Sequence, residues 1–163
     1  MAEVKYIVYK LGEQKYSMKL SEINGIEHTY NVVPVPLGAQ YIKGIIHLRE
    51  KVIPIYDLKE KFNITDVPAV CNKQILISET HGISLAFEVD DVIGIVPVPE
   101  ENIKEIPDVV KTDETGYLEN VVKVVLPDTK KGDIMLSISV DRIMSDKDFE
   151  KVSNALESTQ TEE

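Results

Sequence analysis

Residues 41–62 read YIKGIIHLREKVIPIYDLKEKF, and their pattern is the strongest indication of the fold class. Two runs of mainly apolar and β-branched residues, 41–48 and 52–56, flank the polar segment Arg49-Glu50-Lys51. Short β-prone runs on either side of a polar turn are typical of a β-hairpin. Gly44 inside the first run indicates a bend or the close approach of another backbone, because glycine otherwise weakens a strand.

The rest of the chain repeats this pattern of short strands and turns. Further hairpins are predicted for 6–10 with 15–20, 74–78 with 83–89, and 121–126 with 134–140. Asp57 suits the N-cap of a short helix that ends near Phe62. Phe149, Val152 and Leu156 have the i, i+3, i+7 spacing of a C-terminal helix. Because the long helical crossovers of an α/β fold are missing, the pattern predicts an all-β barrel or sandwich.

Composition and charge limit the classes of function. The 163 residues carry a formal net charge of −10, which disfavours binding to nucleic acid or anionic lipid. Cys71 is the only cysteine, so an intramolecular disulfide is excluded, and we expect its side chain to be buried as a small apolar group. The sequence shows no secretory signal and no apolar run of membrane-spanning length, which favours a cytoplasmic location.

The sequence contains no recognisable catalytic or metal-binding constellation. His28, His47 and His81 lack the spacing of metal ligands. Asp90-Asp91 and Glu100-Glu101 are adjacent carboxylates, and neighbouring residues of a strand point to opposite faces, so we interpret all four as solvated charges. The sequence therefore predicts a protein that is not an enzyme and binds no metal or cofactor.

Two stretches of the chain resemble each other. Residues 20–26 and 89–95 both read apolar, small polar or acidic, acidic, apolar, variable, Gly, Ile, and a Val-Pro-Val-Pro follows each. Each half also ends with a β-prone run that enters a short polar segment, at Asp57 in the first and at Asp141 in the second. The repeat predicts two similar β units. Because units of this size bury too little surface alone, we expect them to share an interface and behave as one body.

The segment 41–62 resembles the signature of the CheW-like domain family. The matching positions are Ile42, Gly44, Leu48, Arg49, Pro54, Asp57 and Leu58. Residues 6–16, 83–92 and 138–144 resemble the family's first hairpin, the start of its second half and its closing strand. The likeness covers about residues 4–145, nearly the whole chain.

The resemblance implies a mostly all-β fold of two five-stranded SH3-like barrels packed together, with short helices and a C-terminal helix. Residues 1–145 would form one domain. We place the first sub-barrel at about 14–66 and the second at about 67–140, and leave open whether strand 4–13 crosses between them. Residues 146–163 would form the helix and an acidic tail.

The resemblance also implies a non-catalytic adaptor without a cofactor, recruited to receptor arrays. Its partners would be the regulatory domain of the histidine kinase CheA and the cytoplasmic tips of chemoreceptors. The residues expected to bind partners are Ile42, Gly44, Leu48, Arg49, Val52, Pro54, Asp57, Leu58, Val89, Asp90 and Val92. Arg49 is our principal candidate, because arginine beside apolar groups is a frequent interface anchor.

The chain departs from the family at Gly25, Glu50, Asn120 and Ser139. Family members usually have Glu at the position of Gly25, where it can pair with the arginine of the motif. Arg49 therefore lacks that partner unless Glu22, Glu27 or Glu50 replaces it.

Two other interpretations stay open. One is a related adaptor of a different receptor–kinase pathway, for example one that controls surface motility. The other is a small β-barrel enzyme, which would require Asp57, Asp90 or Asp141 to converge in a cleft.

Overall fold

The computed structural model describes residues 3–28, 30–34, 41–62, 64, 73–109, 116–124 and 133–161. The strands are β1 (Glu3–Leu11), β2 (Gln14–Lys19), β3 (Gly25–Glu27), β4 (Ile42–Leu48), β5 (Lys51–Asp57), β6 (Gln74–Thr80), β7 (Ile83–Val89), β8 (Asp91–Pro99), β9 (Ile103–Glu105), β10 (Leu118–Val124) and β11 (Asp133–Ile138). The α-helices are α1 (Leu58–Lys61) and α2 (Asp146–Thr161). Short 3₁₀ turns cover Leu20–Glu22, Glu100–Asn102 and Val140–Arg142.

The predicted hairpins are confirmed. β1 pairs with β2, β4 with β5, β6 with β7 and β10 with β11, all antiparallel. The turn between β6 and β7 is His81-Gly82, with φ angles of 51° and 77° that place both residues in the left-handed region. The turn predicted between β10 and β11 lies outside the described residues, as does Cys71.

The strands form two sheets, and the predicted all-β fold is confirmed. The six-stranded sheet has the order β8-β1-β2-β11-β10-β9, and the five-stranded sheet has the order β3-β6-β7-β5-β4. The sixth strand of the larger sheet is β9, which is only three residues long. In the five-stranded sheet an isolated bridge between Val33 and Ile45 extends the same edge.

The boundary between the two sheets differs from the predicted boundary between sub-barrels 14–66 and 67–140. β6 and β7 lie within 67–140, yet they pair with β3 and β5 of the first half. β1 and β2 pair in turn with β8 and β11 of the second half. The two repeat units therefore exchange their first hairpins, so that each sheet contains strands from both halves of the chain.

The register confirms the internal repeat. Gly25 pairs with Ile77 on β6, and Gly94 pairs with Val8 on β1. The hairpin β1–β2 thus occupies, in the larger sheet, the position that β6–β7 occupies in the smaller one. The strands β3, β4 and β5 likewise correspond to β8, β10 and β11.

Three apolar clusters fill the interior. Tyr6 and Val8 face a cluster within the six-stranded sheet, whereas Ile7, Tyr9 and Leu11 face a core shared between the sheets. Because successive side chains of a strand point to opposite faces, both faces of β1 are buried. A third cluster around Ile46, Ile53 and Ile75 fills the five-stranded sheet. The shared core gives the two repeat units their common interface.

The predicted C-terminal helix is α2. Phe149, Val152 and Leu156 are buried in the shared core. The Ser145 hydroxyl accepts a hydrogen bond from the backbone N–H of Asp148 at 3.1 Å and caps the start of the helix. No helix among the described residues is long and apolar enough to cross a membrane.

Candidate partner-binding site

The turn between β4 and β5 presents Arg49 at the surface. Arg49 and Glu50 have φ angles of 50° and 69°, so both residues adopt the left-handed conformation of a tight hairpin turn. Neither residue is a glycine, and a side chain in this region carries backbone strain. The Arg49 side chain is 84% exposed, so its guanidinium projects from the protein.

Glu27 is the carboxylate that lies beside Arg49. One guanidinium nitrogen of Arg49 lies 3.4 Å from Oε1 of Glu27. A pair this exposed is screened by water and contributes little stability. A Cβ added at Gly25 would meet nothing within 4 Å among the described residues, so there is open space beside this position. Arg49 is thus only loosely held.

A cavity of about 270 Å³ lies next to this turn, between β3 and the tip of the β4–β5 hairpin. Its apolar lining comes from Ile26, Leu48, Ile53 and Ile77. Its charged lining comes from Glu27, Arg49, Lys51 and Glu79. Protein interfaces combine apolar contacts with polar and charged ones, and this cavity offers both. We name this surface, the Arg49 turn with the adjoining cavity, the β3–β5 face.

Val52 faces a different cavity. This second space, about 640 Å³, lies between the β6–β7 turn and α2, and Leu156 and Ser153 line its helical side. The His81 ring stacks on Phe149 with the ring centroids 3.9 Å apart, and its Nε2 lies 2.9 Å from the carbonyl oxygen of Asp141. Val52 is therefore not part of the β3–β5 face.

Four of the uncharged residues expected to bind partners are buried. Gly44, Pro54, Leu58 and Val89 belong to the interior. A Cβ at Gly44 would overlap the backbone of Val33 and Pro34, so this glycine permits the predicted close approach of another chain segment. These four positions shape the fold, and their burial leaves little of their surface for contact with a partner.

Asp90 is also a structural residue, and its interpretation as a solvated charge is wrong. It is 3% exposed. Its Oδ2 accepts a hydrogen bond from the backbone N–H of Gly12 at 2.6 Å, and its Oδ1 pairs with Nζ of Lys59 at 3.0 Å. The carboxylate ties the β1–β2 turn and α1 to the end of β7.

The remaining candidates have structural contacts as well. The side chain of Asp57 caps α1 by accepting a hydrogen bond from the backbone N–H of Glu60 at 3.2 Å, as predicted. The backbone N–H of Val92 donates to Gln74 Oε1 at 2.8 Å. Ile42 is half-buried against the shared core. Of the eleven residues, Leu48 and Arg49 alone line the β3–β5 cavity as the described residues define it.

A buried charge cluster around Glu88 was not foreseen. Glu88 accepts hydrogen bonds from Tyr30 at 2.9 Å and from Lys43 at 2.7 Å, and Lys73 lies 3.5 Å away. Burial alone would raise the pKa of the Glu88 carboxyl, but the hydrogen bonds from Lys43 and Tyr30 outweigh it and hold the pKa below its ordinary value. Its partners are 15 to 58 residues away in sequence, so no local motif marks them.

The three carboxylates of the enzymatic alternative each have their own structural contact. Asp57 caps α1, Asp90 holds Gly12 and Lys59, and Asp141 accepts a hydrogen bond from the hydroxyl of Thr80. Among the described residues, no group of three or more His, Cys, Asp or Glu side chains is placed to hold a metal ion.

Comparison with known proteins identifies the family. The CheW-like domain model matches residues 5–148. The chain is 21% identical over 156 residues to the chemotaxis protein CheW of Treponema pallidum, covering 93% of this chain and 88% of that protein. It is 28% identical over 119 residues to the chemotaxis protein CheW of Bacillus subtilis, covering 73% of this chain and 76% of that protein.

A solved structure shares the fold. The crystal structure of the scaffolding protein TtCheW from Thermoanaerobacter tengcongensis superimposes with a TM-score of 0.74 at 27% identity, covering 86% of this chain and 91% of that one. The family match spans both repeat units and includes the arginine turn as well as the paired hairpins. The chain belongs to the CheW-like domain family.

Proposed function

We propose that this protein is a non-catalytic scaffold of chemotaxis that joins chemoreceptor tips to the regulatory domain of the histidine kinase CheA. The observation that carries the proposal is the family match over residues 5–148, together with relatives that are named chemotaxis protein CheW. The same match supports its recruitment from the cytoplasm to receptor arrays.

The architecture suits a bridge. Both sheets share one apolar core, so surfaces on either sheet belong to one rigid body. A rigid body costs little further ordering when it binds. Once one partner is held, the second contact becomes effectively intramolecular, and avidity rises without new contacts.

The β3–β5 face is the proposed receptor contact. Arg49 supplies a charged anchor that is free to leave Glu27, and the apolar cavity beside it can take an apolar side chain of the partner. Arginine next to a desolvated apolar centre is a frequent hot spot. Each contact is expected to be weak, on the order of micromolar, as in other transient signalling interfaces.

Reconstitution tests the function. Purified CheA and receptor-containing vesicles are mixed with and without this protein, and kinase autophosphorylation is followed with and without attractant. The proposal predicts that attractant control of the kinase appears only when the protein is present. If kinase and receptor couple equally well in its absence, the scaffold role is wrong.

A further inference from the structure

Two ion pairs occupy corresponding places in the two sheets, and their polarity is reversed. In the five-stranded sheet, Nζ of Lys43 lies 2.7 Å from Oε1 of Glu88. In the six-stranded sheet, Nζ of Lys19 lies 2.8 Å from Oε1 of Glu119. The lysine is on β4 in the first pair, whereas the glutamate is on the corresponding β10 in the second.

The strand registers establish the correspondence. β4 and β10 each carry a bulge one residue after their first strand residue, and Lys43 and Glu119 are the residues at these bulges. The matching pairs on either side are Ile42 with Tyr56 and Gly44 with Ile55 in one sheet, and Leu118 with Ile138 and Asn120 with Ser137 in the other.

The other member of each pair lies on an exchanged hairpin. In the parallel ladders, Ala86 lies beside Ile55 and Ser17 lies beside Ser137. Glu88 follows Ala86 by two residues on β7, and Lys19 follows Ser17 by two residues on β2. Glu88 and Lys19 therefore occupy the same position in their hairpins, with opposite charge.

The alternative fold would place like charges together. If each hairpin stayed within its own repeat unit, β2 would lie beside β5 and β7 beside β11. Lys19 would then meet Lys43, and Glu88 would meet Glu119. The phenol of Tyr30, which now donates a hydrogen bond to Glu88, would face an ammonium group that cannot accept it.

We propose that the reversed polarity of these two ion pairs selects the exchanged arrangement of the hairpins over the arrangement in which each hairpin pairs within its own half. The corresponding strands follow the same order in both sheets, so strand order alone does not make this choice. Like charges that meet at a restricted position are strongly unfavourable, so charge complementarity is an effective means of excluding the wrong partner.

The environment of the pairs makes the charges effective. The Glu88 side chain is 9% exposed, and the other three side chains are partly buried. The hydrogen bond from Lys19 to Glu119 raises the pKa of Lys19. Burial would lower the pKa of Lys43, but its hydrogen bond to Glu88 outweighs burial and raises it. Each lysine is thus held in its charged form by its own partner.

Engineered disulfides can report which hairpin pairs where. In a Cys71→Ser background, Ser17→Cys with Ser137→Cys places two thiols side by side in the exchanged fold, because these residues are partners in the β2–β11 ladder. Ser17→Cys with Ile55→Cys places them side by side only if β2 lies beside β5. Each variant is unfolded under reducing conditions, refolded at low concentration and oxidised, and the cross-linked fraction is measured by mass spectrometry.

Two charge variants are compared in these backgrounds. Lys19→Glu with Glu88→Lys makes both native pairs repulsive and makes the unexchanged pairing complementary. Adding Lys43→Glu and Glu119→Lys restores attraction in the exchanged fold. The matched control carries Lys5→Glu and Glu79→Lys, which reverse one exposed charge on each hairpin and leave the net charge unchanged.

The proposal predicts that the double variant loses the 17–137 cross-link by at least about tenfold, that the fourfold variant regains it, and that the control keeps it. A gain of the 17–55 cross-link in the double variant would be direct evidence for the unexchanged fold. If the double variant fails to fold, the proposal is tested by whether the fourfold variant folds and forms the 17–137 cross-link. The proposal is wrong if the double variant forms the 17–137 cross-link as fully as the wild-type charges do. It is also wrong if the fourfold variant does not regain this cross-link.

Discussion

The two halves of this protein share one strand plan but differ at corresponding side chains. Gly44 on β4 corresponds to Asn120 on β10, and Glu88 on β7 corresponds to Lys19 on β2. The first half also carries Arg49 in a tight exposed turn. The comparison teaches that the repeated backbone supplies the shape, while the differences between the halves determine which segments pair and where a partner can bind.

The difference between Gly44 and Asn120 follows from what crosses each strand. In the five-stranded sheet, the backbone of Val33 passes so close to Gly44 that a Cβ would overlap it. In the six-stranded sheet, β9 runs alongside, and the amide of Asn120 donates a hydrogen bond to the carbonyl oxygen of Lys104 at 3.2 Å. One edge is closed by a tight crossing and the other by a short strand.

The largest effect on the free energy of unfolding is expected from substitutions at Gly44 and Asn120. Gly44→Ala should lower the free energy of unfolding by about 1–3 kcal/mol, because the added methyl group must displace the Val33 backbone. Asn120→Ala removes one exposed hydrogen bond and should cost about 0.5–1 kcal/mol. Urea denaturation of both variants measures the difference. Equal losses would mean that the tight crossing at Gly44 is not a constraint.

The next largest difference is expected between the contributions of the two ion pairs to the free energy of unfolding. Glu88→Gln removes the charge from a buried cluster with three donors and should cost about 2 kcal/mol at pH 7. Glu119→Gln affects a more exposed pair and should cost less than about 1 kcal/mol.

The Glu88 effect should depend on pH. Because the folded-state pKa of Glu88 lies below its ordinary value, its contribution is complete above the unfolded-state pKa. It is lost as the pH falls through the folded-state pKa, where the carboxylate becomes protonated. The difference between wild type and Glu88→Gln should therefore shrink on acidification. A difference that stays constant down to pH 3 would contradict the assignment of the charge.

A smaller effect is expected from the two tight turns. Glu50→Gly should raise the free energy of unfolding by about 0.5–1 kcal/mol, since glycine adopts the observed φ of 69° without strain. The matched reversal is Gly82→Glu, which places a side chain at a φ of 77° and should cost about 1 kcal/mol. Thermal unfolding of both variants tests the pair. A loss of stability in Glu50→Gly would show that the Glu50 side chain contributes a favourable contact.

The local parts of the fold could be predicted from sequence. Turn residues such as Gly12 and Gly82 mark their hairpins, Gly44 marks the close crossing, and Asp57 marks the start of α1. Each of these signals lies within a few residues of the structure that it determines. The resemblance of residues 41–62 to a known family added the two-barrel architecture.

The pairing between halves could not be predicted in the same way. Because β1 and β6 carry similar patterns, the sequence alone does not say whether β3 pairs with one or the other. The burial of Asp90 was missed for a related reason, since its partner Gly12 is 78 residues away. Of the candidate site, Arg49 and Leu48 lie on the β3–β5 face. Pro54 and Val89 are buried because both faces of β5 and β7 are covered, which the local sequence does not reveal.

The most direct test of the scaffold account is the affinity for a chemoreceptor tip fragment, measured by calorimetric titration of wild type, Arg49→Ala and Arg142→Ala. Arg142 is the other arginine of the chain and is also exposed, so it is the matched control. The account predicts that Arg49→Ala binds at least about fivefold more weakly. Its free energy of unfolding should change by less than about 0.5 kcal/mol. Arg142→Ala should bind like wild type, and equal affinities for all three proteins would contradict the assignment of the β3–β5 face.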